Sequence, residues 1–182
     1  MNYAAIKWAD VANGPGVRVS LFVSGCTHRC PGCFNEEAWD FSYGRPFTQA
    51  EADKILRALA PDHIRGLSLL GGEPFEPDNQ RALLPFLRQV KKEHPSKQIW
   101  CYSGYTLDEE LWWPSRARCE CTDEMLSCLD VLVDGPFVQE KRDLDLRFRG
   151  SSNQRILDVP ASLEAHAPVL WDGEMTIRPI TV

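Results

Sequence analysis

The chain has 182 residues, enough to bury the core of one domain. With 26 acidic against 20 basic side chains its formal charge is −6, which excludes a broad nucleic-acid footprint. Residues 1–10 lack the apolar centre of an export signal and no apolar run approaches membrane-spanning length, so a cytoplasmic protein with no membrane partner is expected. In that compartment the 7 cysteines are expected as reduced thiols or metal ligands, not as a disulfide framework.

Asn13-Gly14-Pro15-Gly16 is a turn cluster feeding a strand at Val17–Val23, rich in β-branched and aromatic residues. A loop follows, with Cys26, Cys30 and Cys33 among Ser24-Gly25 and Pro31-Gly32. Thr48 and Glu51 have the spacing of a capping box, and Ile55, Leu56 and Leu59 give a helical apolar face that Pro61 ends. Gly66–Leu70 reads as a short strand running into Gly71-Gly72-Glu73-Pro74, where two glycines allow a close backbone approach. From Asp78 to Glu93 the apolar spacing is helical, with Pro85 expected to split or kink the helix.

Gln98–Tyr102 is the third strand, followed by Ser103-Gly104-Tyr105. A helix starts at Leu107 and is interrupted by Trp112-Trp113-Pro114; after an irregular stretch with Cys119 and Cys121, a short helix spans Asp123–Leu129. Asp130–Val133 is the fourth strand and ends in Asp134-Gly135. Strand and helix alternating at this rhythm predict an α/β fold with a largely parallel sheet. Lys141 to Arg155 is basic and without period, and Val169–Arg178 has the pattern of a two-residue β-hairpin. The expected division is 1–160 as the main domain and 161–182 as a C-terminal hairpin appendage.

Three thiols spaced C-x3-C-x2-C at a strand's end can surround one compact inorganic group. A 4Fe–4S cubane held wholly by protein takes four thiolates, and a structural zinc ion four ligands. The local count of three therefore favours a cluster with one iron open to an outside ligand. Zinc, with cysteines from elsewhere such as Cys119 and Cys121, is the alternative.

This spacing resembles the signature of the radical S-adenosylmethionine (SAM) enzymes, although Gly32 stands where that family usually has an aromatic residue and the aromatic comes later, as Phe34. Gly14-Pro15-Gly16-Val17-Arg18 resembles a motif of its glycyl-radical-enzyme activases. Together with Leu69–Pro74, Ser103–Tyr105, Val131–Gly135 and Arg149–Gln154, the chain up to about residue 157 is similar to the activating proteins of anaerobic (class III) ribonucleoside-triphosphate reductase.

The resemblance implies a partial open (β/α)6 barrel and a 4Fe–4S cluster on Cys26, Cys30 and Cys33 that reductively cleaves SAM to a 5′-deoxyadenosyl radical. That radical would take a hydrogen from a glycine of the partner reductase, with a low-potential, flavodoxin-like protein as electron donor. Gly32, Cys33 and Phe34 would border the adenine side of SAM. Gly71, Gly72 and Glu73 would hold its methionine amino group, with Ser103 and Asp134 as further contacts. No acid–base pair is implied, and His28 is expected behind the ligands or exposed.

Overall fold

A computed structural model describes residues 1–173. In chain order it contains β1 (Asn2–Asp10), β2 (Val17–Val23), β3 (Arg45–Pro46), α1 (Gln49–Leu59), β4 (Ile64–Gly71), α2 (Pro77–Glu93), β5 (Gln98–Tyr102), α3 (Thr122–Cys128), β6 (Val131–Asp134), β7 (Arg155–Asp158) and α4 (Val159–Ala165). The strands form one open sheet in the order β3-β1-β2-β4-β5-β6-β7. Strands β2, β4, β5 and β6 run parallel, whereas β1, β3 and β7 add antiparallel flanks.

This is a mixed α/β fold, with four parallel strands where six βα units were expected. The shortfall has a local cause at each side. Residues 11–16 turn β1 straight back onto β2, and no helical crossover of the kind a parallel neighbour needs separates β6 from β7.

Alternation along the strands divides the core. Val19, Leu21 and Val23 of β2, Leu67 and Leu69 of β4, Ile99 of β5 and Leu132 of β6 face the helices, meeting Ile55, Leu59, Leu83, Leu87 and Met125 in one buried cluster. The intervening residues Trp100, Val131 and Val133 face the other way and form a second, smaller cluster with Phe148 and Trp171. Val159 and Leu163 of α4 belong to the first cluster, so all four helices lie on one side of the sheet.

Arg18 sits on the helix-free side, fully buried. Its Nε donates to Ser68 Oγ at 2.7 Å, and one terminal nitrogen donates to the carbonyls of Leu67 (2.8 Å) and Gln98 (3.0 Å). Ser68 Oγ donates in turn to the Asn13 carbonyl at 2.6 Å, so the arginine pins the turn before its own strand. Gly14, at φ +119°, lies so close that a Cβ would stand 2.9 Å from Arg18 Cδ, a physical reason for glycine and arginine to occur together here. Burial lowers the Arg18 pKa to about 10.

Helix α2 passes through Pro85 unbroken, so of the split or kink expected there no split occurs. Leu83, Leu84, Phe86, Leu87 and Val90 are all buried, and that packing outweighs one missing N–H donor. Strands β1 and β7 and helix α4 have no counterpart in the sequence reading. The expected hairpin at 169–178 lies partly outside the described residues; within them, Leu170 bridges Leu157 beside β7.

Candidate metal-binding site

The loops after β2, β4, β5 and β6 meet around an open cavity of about 620 Å³. Cys26, Cys30 and Cys33 line it, opposite Gly71, Gly72, Glu73 and Ser103. The cysteine loop is held by main-chain bonds from the Gly25 N–H to the Ala38 carbonyl (2.8 Å) and from the Cys26 N–H to the Trp39 carbonyl (3.2 Å). The glycine loop closes against it: the Gly72 N–H donates to the Val23 carbonyl at 2.7 Å and the Glu73 N–H to the Gly25 carbonyl at 2.8 Å. From α2, Asn79 Nδ2 donates to the carbonyls of Ser24 (3.0 Å) and Glu73 (2.9 Å), tying both loops to a helix.

The three sulfurs each have main-chain N–H groups beside them. The Asn35 amide donates to Cys33 Sγ at 3.4 Å, the amides of His28 and Arg29 face Cys26, and that of Phe137 faces Cys30. Burial, and after it the Glu73 charge, push the Cys26 thiol up to about 12; burial also raises Cys30. Iron or another thiophilic cation would reverse this by displacing the protons. Among the described residues no three His, Cys, Asp or Glu side chains converge tightly enough for a single ion, and Cys119 and Cys121 do not join the loop. A cubane spreads its thiolates over separate irons, and three amide-flanked thiols on one cavity wall fit that demand.

Gly71 has φ +107°, and a Cβ on Gly72 would lie 2.6 Å from the Gly25 carbonyl oxygen. The glycine pair is thus required by the approach of the two loops to each other. Gly32, at φ +71°, has Gln139 Oε1 2.2 Å from where its Cβ would be and packs against the segment after β6. Phe34 is 67% exposed, its ring 5.7 Å from that of Phe137 with the Arg142 guanidinium 5.1 Å above it. The segment 137–154 is fastened by Gln154, whose Oε1 accepts the N–H groups of Gly150 (2.9 Å) and Ser151 (3.2 Å) while its Nε2 donates to the Gly135 carbonyl (3.0 Å).

Glu73 is the buried hub of the site. Its carboxylate accepts from the Phe75 N–H (2.8 Å), Ser103 Oγ (2.9 Å) and the Gly104 N–H (2.7 Å). Ser103 Oγ also accepts the Tyr105 N–H at 3.0 Å, so its side chain is committed inside the protein. Asp134 is not part of the cavity wall; fully buried, it accepts the Leu107 N–H at 2.8 Å and pairs with Arg155.

His28 is more deeply engaged than a loop position suggests. Its Nε2 lies 3.1 Å from Glu73 Oε2, and its ring is 4.2 Å from that of Tyr105. Sequence reasoning also missed Glu76, whose Oε1 accepts both the N–H (2.7 Å) and the hydroxyl (2.6 Å) of Thr27. Asn79 carried a usable signal: it continues the Leu83, Leu87 and Val90 face, a polar residue at core spacing.

A family model described as a 4Fe-4S single cluster domain matches residues 12–157. An anaerobic ribonucleoside-triphosphate reductase-activating protein of Vibrio cholerae is 46% identical over 158 residues, covering 86% of this chain and 97% of that protein. The protein of that name from Escherichia coli K12 is 44% identical over 156 residues (85% and 96%), and the one from Enterobacteria phage T4 is 36% identical over 156 residues (86% and 93%).

Proposed function

Because the chain belongs to the family of anaerobic ribonucleoside-triphosphate reductase-activating proteins, we propose that it is the radical SAM activase of such a reductase. Cys26, Cys30 and Cys33 are the thiolate ligands of one 4Fe–4S cluster. When bound, that cluster supplies the electron, received from a low-potential flavodoxin-like donor, for cleavage of SAM and hydrogen abstraction from the target glycine of the reductase.

The chain's own residues bind and orient. Gly71, Gly72 and Glu73 present main-chain atoms to the methionine end of SAM. Gly32 and Phe34 border its adenine side. Ser103 acts through Glu73, fixing the carboxylate that joins the loops after β2, β4 and β5. Asp134 acts at one remove, holding the start of the 107–111 turn. We take the open sheet, with helices on one side, as an incomplete form of the family's barrel, and the protein as cytoplasmic; among the described residues no helix is long and apolar enough to cross a membrane.

The observation that carries this reading is the meeting of the three thiols with the Gly71-Gly72 loop across one open cavity. Anaerobic reconstitution should give about four iron per chain, SAM-dependent deoxyadenosine formation under a strong reductant, and a glycyl-radical EPR signal in the reductase. Deoxyadenosine without that signal would assign the chain to another glycyl-radical partner. Iron loading without SAM cleavage would overturn the activase reading itself.

A further inference from the structure

Cys119 and Cys121 take part in none of the roles above. They lie in a turn closed by the Thr122 N–H on the Cys119 carbonyl at 3.2 Å, while the Cys119 N–H donates to Thr122 Oγ1 at 2.9 Å. Such a turn keeps Cα atoms two residues apart within the ~4.4–6.8 Å that a disulfide spans. The turn is seated on a buried bracket: Thr122 Oγ1 donates to Gln80 Oε1 (2.8 Å), and Gln80 Nε2 donates to the carbonyls of Phe75 (2.7 Å) and Ala117 (2.6 Å).

The pair sits at the rim of the main core, against which Cys121 packs. Cys119 and Cys121 are partly exposed, whereas Cys101 and Cys128 are buried. Burial, then the Cys119 sulfur and the Glu120 charge, raise the Cys121 thiol, and the Arg81 guanidinium, clamped on Glu120 at 2.8 and 3.1 Å, offsets them only in part. Among the described residues no third His, Cys, Asp or Glu completes a metal-holding group with them. What remains is a partly exposed pair of thiols in side-chain contact within one turn, beside the Arg81–Glu120 ion pair.

We propose that Cys119 and Cys121 form a reversible dithiol–disulfide site that exchanges with external disulfides, independently of the cysteine loop. One thiolate attacks a sulfur of the external disulfide, forming a mixed disulfide and releasing the first thiol. The second thiolate then attacks the protein-side sulfur, closing the Cys119–Cys121 bond and releasing the second thiol. Two electrons pass from the pair to the external disulfide, and the pair's two protons leave with the released thiols. A ring this small at an exposed turn is easily reduced, which suits a site that turns over.

The test uses the full chain, prepared anaerobically and equilibrated with glutathione and glutathione disulfide at set ratios. After acid quenching, alkylation and trypsin digestion, the peptide beginning at Cys119, which also carries Cys128, is weighed. As the disulfide share rises, this peptide should lose two of its three alkyl groups, its two sulfurs being bonded to each other instead, fully reversibly on adding thiol. Cys121→Ser should instead hold a stable glutathione adduct on Cys119 at the same ratios. Three alkyl groups at every ratio, a bond to Cys128, or lasting glutathione adducts on the unchanged pair would each overturn the proposal.

Discussion

His28 Nε2 stands 3.1 Å from Glu73 Oε2, and the two side chains are only 10% and 1% exposed. One buried contact therefore joins the loop that carries the cysteines to the loop that carries the glycines. Replacing Glu73 with Ala would strand the N–H groups of Phe75 and Gly104 together with the Ser103 hydroxyl. The expected cost is at least about 1–3 kcal/mol, the penalty for leaving a buried donor unsatisfied, read as a lowered denaturant midpoint. His28→Ala should cost less than half of that and should lower iron retention more than stability. Equal stability of Glu73→Ala and the parent would remove Glu73 from the centre of the site.

Cluster loading should depend on three cysteines alone. Cys26→Ala, Cys30→Ala and Cys33→Ala should each abolish the broad visible absorbance of the reconstituted protein. Changing Cys101, Cys119, Cys121 or Cys128 to Ser should leave about four iron per chain. Iron lost on changing Cys119 or Cys121 would contradict the separation of that pair from the cluster.

The glycine pair is sensitive to volume. A Cβ on Gly72 would press on two carbonyl oxygens, that of Gly25 at 2.6 Å and that of Ala38 at 3.0 Å. Gly72→Ala should destabilise by about 1–3 kcal/mol, the range for overpacking, and Gly72→Val by more. Because the obstructed atoms belong to the cysteine loop and its support, iron content should fall along with SAM affinity. A stable, fully iron-loaded Gly72→Val with weakened SAM binding alone would show that the crowding falls on the ligand instead.

Arg155 bridges Asp108 and the fully buried Asp134. Arg155→Ala leaves Asp134 without its cation and should cost about 3–5 kcal/mol in equilibrium unfolding. The arginine also holds the Asp108 carboxyl below its usual value. A depressed folded-state pKa contributes stability above the unfolded value of about 3.9 and loses it as pH falls through the folded one. The gap between parent and Arg155→Ala should therefore narrow on acidification below about pH 4. A gap unchanged down to pH 2 would contradict the pairing.

The central strands and helices were legible because their apolar residues repeat at periods of two and 3.6, and β2, β4, β5, β6, α1 and α2 follow from that. Strand β1 was hidden because its pattern does not alternate: only Asp10 among its nine residues is buried. Strand β7 follows a basic stretch and is placed by its pairing with β6, a long-range cause that no local pattern carries. Within the site, the cysteines announced themselves by spacing. His28 and Glu76 did not, since each matters through a partner some 45 to 49 residues away in the chain, whereas Asn79 was marked only by its place on the core face of α2.

Four helices stacked on one side of an open sheet have a consequence for traffic. A small substrate can be swallowed and sealed in; a glycine embedded in another protein's main chain cannot, and must be led in as part of a strand of polypeptide. The helix-bearing side offers no entry, being filled by the main core. Among the described residues, the cover on the other side comes from a few side chains, chiefly Phe148 and Trp171, and from the segment tethered through Gln154, whose far end leaves Leu144 82% exposed. The asymmetry of the layers thus makes the helix-free side the thinner wall of the cavity among the described residues.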